Sequence, residues 1–304
     1  MSPELPSKVV IYGVGLLGGS IGLRLRQINP TCDVVGVTRT EASGRAALAA
    51  GCVTSTTRDG MEVCVDADAV FVCTPVSMVA SQIVRIAAHV PSHAFITDVG
   101  STKVEIVREV MADQTASRYF VGSHPIAGSE LSGAANARSN LFTDKLVVVT
   151  PTPQTDPCRL SKAEELWRAI GARVQRMSAA EHDDAMAGIS HAPHFAACAV
   201  ALSISATERP LVGSGFRDTT RVAAGDPRMW LDIAMQNQSS IAGRLREIRQ
   251  NLESLLRSIE TNDQDELLRQ LIAAQQARQQ IDTLSGSPVI GASHRRDGTT
   301  GHQQ

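Results

Sequence analysis

Short, uninterrupted apolar runs dominate the first half of the chain. Lys8-Val9-Val10-Ile11-Tyr12, Asp33-Val34-Val35-Gly36-Val37, Ala69-Val70-Phe71-Val72-Cys73, Ala94-Phe95-Ile96-Thr97, Leu146-Val147-Val148-Val149 and Ala172-Arg173-Val174-Gln175 are rich in β-branched residues and predict strands. Between them lie helix-like stretches, the first running from a glycine turn to Arg26. Runs that are apolar at nearly every position suit strands buried on both faces. Strands alternating with helices predict right-handed crossovers and a parallel sheet covered by helices.

The period changes near Ser178. Ser178-Ala179-Ala180-Glu181 carries a capping-box signature and opens an alanine-rich helix expected to reach Ala206, with Pro193 inside it as a kink. From Asp226 to Asp282 apolar residues recur at helical spacing, and Ile248, Leu252, Leu255, Leu256 and Ile259 form one stripe. No strand signal returns. The expected organisation is an α/β domain over 1–177, an all-helical domain over 178–284 and a disordered Gly/Ser/Thr/His-rich tail over 285–304. So small and apolar a helical domain is expected to complete its core across a homodimer interface.

Composition narrows the field. With 304 residues, a net charge of −2 and a pI near 6.4, nothing favours nucleic acid or an anionic membrane as partner. The apolar stretches are expected to fall short of a bilayer span, and Met1–Ser7 lacks a signal-peptide layout, so a cytoplasmic location is expected. The six cysteines (32, 52, 64, 73, 158 and 198) form no C-x-x-C pair and are expected to be reduced. Aromatic residues make up only 3% of the chain, too few for base-stacking platforms.

Gly13-Val14-Gly15-Leu16-Leu17-Gly18 is G-x-G-x-x-G, set directly after a strand and opening a helix. The glycines allow a tight turn, close approach of backbone to a pyrophosphate and close helix–strand packing, while the helix N-terminus favours the phosphate charge. The first domain is therefore expected to be of Rossmann type. The strand ends Cys73-Thr74-Pro75 and Asp98-Val99-Gly100 are expected to line the same crevice. At the end of the second strand, where an acid would hold the ribose hydroxyls of NAD, the chain has Thr38-Arg39-Thr40. A threonine and an arginine suit a 2′-phosphate, so NADP is expected in preference to NAD.

Four further segments add chemistry: Asp98-Val99-Gly100-Ser101-Thr102-Lys103, Gly122-Ser123-His124-Pro125-Ile126-Ala127-Gly128-Ser129-Glu130, Ser190-His191-Ala192-Pro193-His194 and Gly215-Phe216-Arg217-Asp218-Thr219-Thr220-Arg221. With the glycine turn, in this order and spacing, they resemble the prephenate/arogenate dehydrogenases across nearly the whole chain. The resemblance implies oxidation of a cyclohexadiene: hydride leaves C4 for a nicotinamide, the C4 hydroxyl loses its proton, and C1 loses carbon dioxide. An aromatic product drives that decarboxylation without a metal. The protein must then supply a base, cationic anchors for carboxylates and alignment.

By resemblance His124 is the base, in what the sequence presents as an exposed loop, and activity should rise with pH through the ordinary histidine range. Ser101 orients His124 or the substrate hydroxyl, caps the helix that follows, or does both. Arg221 is the carboxylate anchor, with Arg217 the competing candidate. His191 and His194, at i and i+3, are expected to share a helix face on the substrate cleft. His182 is half a turn from His191 on a straight helix, so no metal site is expected and His182 is assigned to helix-start structure.

Arogenate-specific relatives are expected to carry an acid near Pro193-His194, and its absence leans toward prephenate or toward both substrates. A regulatory ACT domain is not expected in the residues after the last helix. Two rivals remain. A 3-hydroxyacid dehydrogenase would need a lysine in the helical domain, and none occurs after Lys162. A non-enzymatic NADP-binding redox sensor would leave His124, Arg221 and His194 unexplained.

Overall fold

A computed structural model describes residues 5–127 and 131–285. Gly128, Ser129 and Glu130 of the histidine motif lie outside the described residues, as does the tail from residue 286 for which disorder was expected. The strands are β1 (Lys8–Tyr12), β2 (Asp33–Val37), β3 (Ser55–Thr57), β4 (Ala69–Val72), β5 (Phe95–Asp98), β6 (Phe120–Pro125), β7 (Leu146–Thr150) and β8 (Arg173–Arg176). They form one eight-stranded sheet in the order β3-β2-β1-β4-β5-β6-β7-β8. The strand order reverses between β1 and β4, which opens a crevice at their carboxyl ends.

Helices α1 (Leu16–Ile28), α2 (Glu41–Ala49), α3 (Val76–Ala87), α4 (Val104–Met111), α5 (Ala116–Tyr119) and α6 (Pro157–Ile170) fall between the strands. The period-2 alternation sorts side chains to two faces. Val9 and Ile11 join one buried cluster with α1 and α6 residues, and Val10 and Tyr12 join another with α3. Burial on both faces explains the apolar runs.

Two features depart from the expected parallel sheet. β7 pairs antiparallel to β6, through the register Gly122↔Thr150 to Pro125↔Val147. The β6–β7 connection carries only a 3₁₀ turn at Ala134–Asn136 among its described residues, so no helix carries the chain back across the sheet for a parallel return. β6 itself gives no strong strand signal, because Gly122, His124 and Pro125 interrupt its pattern. His124 thus stands on a strand and not in the exposed loop that the sequence suggests.

Helices α7 (Ala179–Met186), α8 (Ala192–Leu202), α9 (Ser214–Thr220), α10 (Pro227–Gln236), α11 (Gln238–Glu260) and α12 (Gln264–Ser285) follow. The alanine-rich helix ends at Leu202, short of the expected Ala206, and is broken by a π-turn at Ala187–His191. Pro193 has no N–H to offer the carbonyl four residues back, and the ladder slips by one residue just before it. The run Ala179–Leu202, 24 residues, is nevertheless long and apolar enough to cross a membrane by length and composition, contrary to expectation. Its buried polar side chains, His182, Asp183, His191 and His194, bond within the protein, as in a core helix.

The described chain packs as two compact units that divide between Leu245 and Arg246, inside α11. The sequence boundary at 177/178 marks the change from strands to helices, whereas the first unit also takes in α7 to α10. The second unit is a helical hairpin turned at Asn262 (φ 53°), with Leu252, Leu256, Ile259, Leu268, Leu271 and Ile281 exposed on the single chain.

Candidate active site

The glycine turn fits a dinucleotide, and each of its glycines is required for a different reason. Gly13 has φ +90° and a Cβ there would meet the Cys73 carbonyl oxygen at 2.6 Å. A Cβ on Gly18 would lie 2.3 Å from the Gly13 carbonyl oxygen and 2.9 Å from Ile11, so that glycine sets helix-to-strand contact. Gly15 has nothing within 4 Å of its missing Cβ. The fold leaves that space open at the N-terminus of α1, where Leu16 and Leu17 begin the helix and a phosphate would approach.

Cys73 and Thr74 form the other wall, with the Thr74 methyl 3.2 Å from the Gly13 Cβ position, and Pro75 leads directly into α3. Burial pushes the Cys73 thiol up, with Asp98 adding to the effect, which disfavours the thiolate. At the end of β2, Thr38 is buried and its hydroxyl donates to the Thr40 carbonyl at 3.3 Å. Thr40 caps α2 through a reciprocal pair with Ser43. Arg39 between them is exposed, with no ion pair to a described residue.

The carboxyl ends of β5 and β6 hold a buried polar cluster. Asp98 accepts from the Ser123 N–H (3.0 Å), the Gly100 N–H (2.8 Å) and the Lys103 ammonium, and Asp98 and Lys103 are both fully buried. Burial pulls the Lys103 ammonium below its usual value, while Asp98 opposes that shift. The Ser123 hydroxyl donates to the Asp98 carbonyl at 2.6 Å and accepts from the Trp167 indole at 3.1 Å. The strand that presents His124 is therefore fixed from both sides.

His124 Nδ1 lies 2.8 Å from His182 Nε2, and His182 Nδ1 lies 2.7 Å from Asp183 Oδ1. His124 Nε2 has no hydrogen-bond partner among the described residues. Asp183 accepts in turn from the Lys103 N–H (2.7 Å) and the Val104 N–H (2.9 Å), capping α4 from a distant helix. That role excludes Ser101 as the cap, since α4 begins at Val104. His182 is the residue that sequence reasoning missed. On a regular helix nine residues place it about 180° from His191, but the extra residue of the π-turn brings them to within roughly 80°. Only the proline hinted at such a shift.

Desolvation holds the His124 imidazole well below the ordinary histidine value, and His182, Lys103 and His191 push it the same way. The expected ionisation in the ordinary histidine range is corrected to a lower one. His191 is pushed down to about 4, chiefly by burial. Its ring meets Asn237 Nδ2 at 3.2 Å and the main chain of Ser101, so it braces the segment carrying Ser101. His194 stacks on Trp230 (centroids 3.6 Å apart, 9° between planes) and contacts the Cys198 sulfur at 3.5 Å. Arg217 lies on α9 and Arg221 one turn later, at the start of the 3₁₀ turn Arg221–Ala224; both are exposed. That turn packs on α8 through the Val222 main chain and His194. Among the described residues no cluster of three or more His, Cys, Asp or Glu side chains is arranged to hold a metal ion.

Residues 21–176 match the family model for the prephenate dehydrogenase nucleotide-binding domain, and residues 178–273 that for the prephenate dehydrogenase dimerization domain. The chain is 32% identical to prephenate dehydrogenase of Bacillus subtilis (strain 168) over 284 residues, which is 90% of this chain and 76% of that one. Among solved structures it is similar to A. aeolicus prephenate dehydrogenase in complex with hydroxyphenyl propionate and NAD+, at 30% identity and a TM-score of 0.84, covering 91% of this chain and 98% of the other. Synechocystis arogenate dehydrogenase is also similar, at 29% identity and a TM-score of 0.76, covering 90% and 99%.

Proposed function

The chain belongs to the prephenate dehydrogenase family and is an NAD-linked oxidoreductase; on that premise we propose that it converts prephenate to 4-hydroxyphenylpyruvate in tyrosine biosynthesis, with NADP preferred to NAD. The observation that carries this reading is the His124 ring, fixed at Nδ1 and without a partner at Nε2 among the described residues, at the same edge of the sheet as the glycine turn. The nicotinamide, when bound, supplies the hydride acceptor. Gly13, Gly15, Leu16, Leu17 and Gly18 hold the pyrophosphate, with Cys73, Thr74 and Pro75 walling the crevice, whereas Asp98 and Gly100, expected beside them, are buried.

His124 accepts the C4 hydroxyl proton at Nε2 as hydride departs, and a neutral imidazole is ready for that task across the physiological range. Arg221 holds the side-chain carboxylate, Arg217 being the alternative anchor. His191 and His194 shape the cleft beneath them. Loss of the C1 carboxylate as carbon dioxide returns its bonding pair to the ring and completes the aromatic system. Ser101, at the mouth of the cluster, orients the hydroxyl.

Arogenate is the second reading, favoured by the likeness to the Synechocystis enzyme. Its amino group calls for an acid near 193–194, where this chain has a histidine stacked on an indole. In the same reading the exposed apolar residues of α11 and α12 pair in a homodimer, and the enzyme works in the cytoplasm. Assay of the purified protein with prephenate and arogenate, each with NADP and NAD, tests the proposal. Fastest turnover is expected for prephenate with NADP. No turnover of prephenate with either cofactor would remove the reading.

A further inference from the structure

We propose that His182 and Asp183 are positioning residues that hold His124 with its proton on Nδ1, which leaves the Nε2 lone pair to take the substrate's hydroxyl proton. The inference rests on His124 being the base and says how it is kept ready. The chain of donors and acceptors runs one way. Asp183 accepts two main-chain N–H groups at the start of α4, and a carboxylate has only acceptors to offer. The His182 nitrogen facing it, Nδ1, must therefore donate. A neutral imidazole protonated at Nδ1 has its lone pair at Nε2, and that atom faces His124 Nδ1 at 2.8 Å. His124 then donates from Nδ1 and keeps Nε2 bare.

Reversing the last link would need a second proton on His182. That would put a buried imidazolium against half-buried His124, near the fully buried Lys103 ammonium and with His191 beside it. Asp183 is the only carboxylate bonded to either ring among the described residues, and Asp98 is engaged by Lys103. The arrangement has the logic of a nucleophile-orienting triad, with a second histidine placed between base and acid. Burial adds rigidity: His182 is fully buried, and Asp183 is tied to the sheet side of the cleft.

The test combines nitrogen NMR of the histidine rings with kinetics of three variants. In the wild type, His124 should show the proton on Nδ1. His182→Leu removes the acceptor, and kcat should drop about 10²-fold, while KM for prephenate and cofactor affinity move less than about threefold. His182→Gln offers an amide oxygen near the position of Nε2 and should recover at least about 10-fold of that loss. A purely structural role would affect both variants alike and would not show in the tautomer. A wild-type His124 protonated at Nε2, an unchanged kcat in His182→Leu, or a glutamine variant no better than leucine would each overturn the proposal. Should the leucine variant not fold, the wild-type spectrum and the kcat of the glutamine variant decide it. His124→Gln separates the two readings: unchanged turnover there removes His124 as base, whereas the spectrum still reports the tautomer.

Discussion

At the carboxyl ends of β5 and β6, His182, Asp183, Asp98 and Lys103 lie inside the protein, with His124 half-buried against them, and the groups hold one another. At the carboxyl end of β2, Thr38-Arg39-Thr40 lies at the rim, where Arg39 is exposed and without an ion pair to a described residue. The first region can fix a tautomer and a proton, because buried polar groups in low dielectric tolerate few arrangements. The second can only add or withdraw attraction for a charge that arrives with the cofactor. In the proposed function, chemistry is set where polar groups are buried and cross-braced, and ligand choice where they are exposed and few. Arg217 and Arg221, both exposed, fall on the second side.

The largest effect should come from the buried end. His124→Gln should lower kcat about 10²–10⁴-fold, the usual contribution of a positioned base, with cofactor binding intact. In the wild type the acid limb of kcat/KM should lie below pH 6.5, because the base stays neutral below its ordinary range. A limb at or above that value would mean that the buried cluster does not tune the base. Next, Lys103→Met leaves Asp98 buried without its cation and should cost about 3–5 kcal/mol in urea unfolding at neutral pH. A loss under about 1 kcal/mol would place that pair with the rim and not the core.

Smaller effects belong to the exposed cations. Arg221→Ala should chiefly raise KM for prephenate, since a carboxylate contact is made in ground and transition states alike, and Arg221→Lys should rescue poorly. If Arg217→Ala raises KM and Arg221→Ala does not, the anchor is Arg217. Arg39→Ala should weaken NADP binding by about 1–3 kcal/mol and leave NAD nearly unchanged, as isothermal titration would show. Equal loss for both cofactors would mean that Arg39 does not read the 2′-phosphate.

The buried side of this comparison was the harder to read from sequence. The strands β1, β2, β4 and β5 and the glycine turn were legible because local pattern decides them. β6 was not, since Gly122 and Pro125 break its pattern and its strand state comes from pairing with β5 and β7. His182 was set aside on regular-helix geometry, which the π-turn violates. Asp183 gave no signal at all: its partners, Lys103 and Val104, are 80 and 79 residues away. Arg39, Arg217 and Arg221 were singled out by motif position alone, and the roles proposed for them depend on ligands more than on the fold.

The cap that Asp183 places on α4 has a mechanical consequence. Together with Ser77–Asp232 (2.5 Å), Thr102–Gln236 (2.6 Å), Gln236–Val76 (3.0 Å) and the His124–His182 contact, it ties helices α7 and α10 to the start of α3, the start of α4 and the carboxyl end of β6. A hinge motion that swung these helices away would have to break all of these bonds together, and would uncap α4 as it did so. Displacing α7 or α10 would therefore disturb the setting of His124 and the start of α4 together.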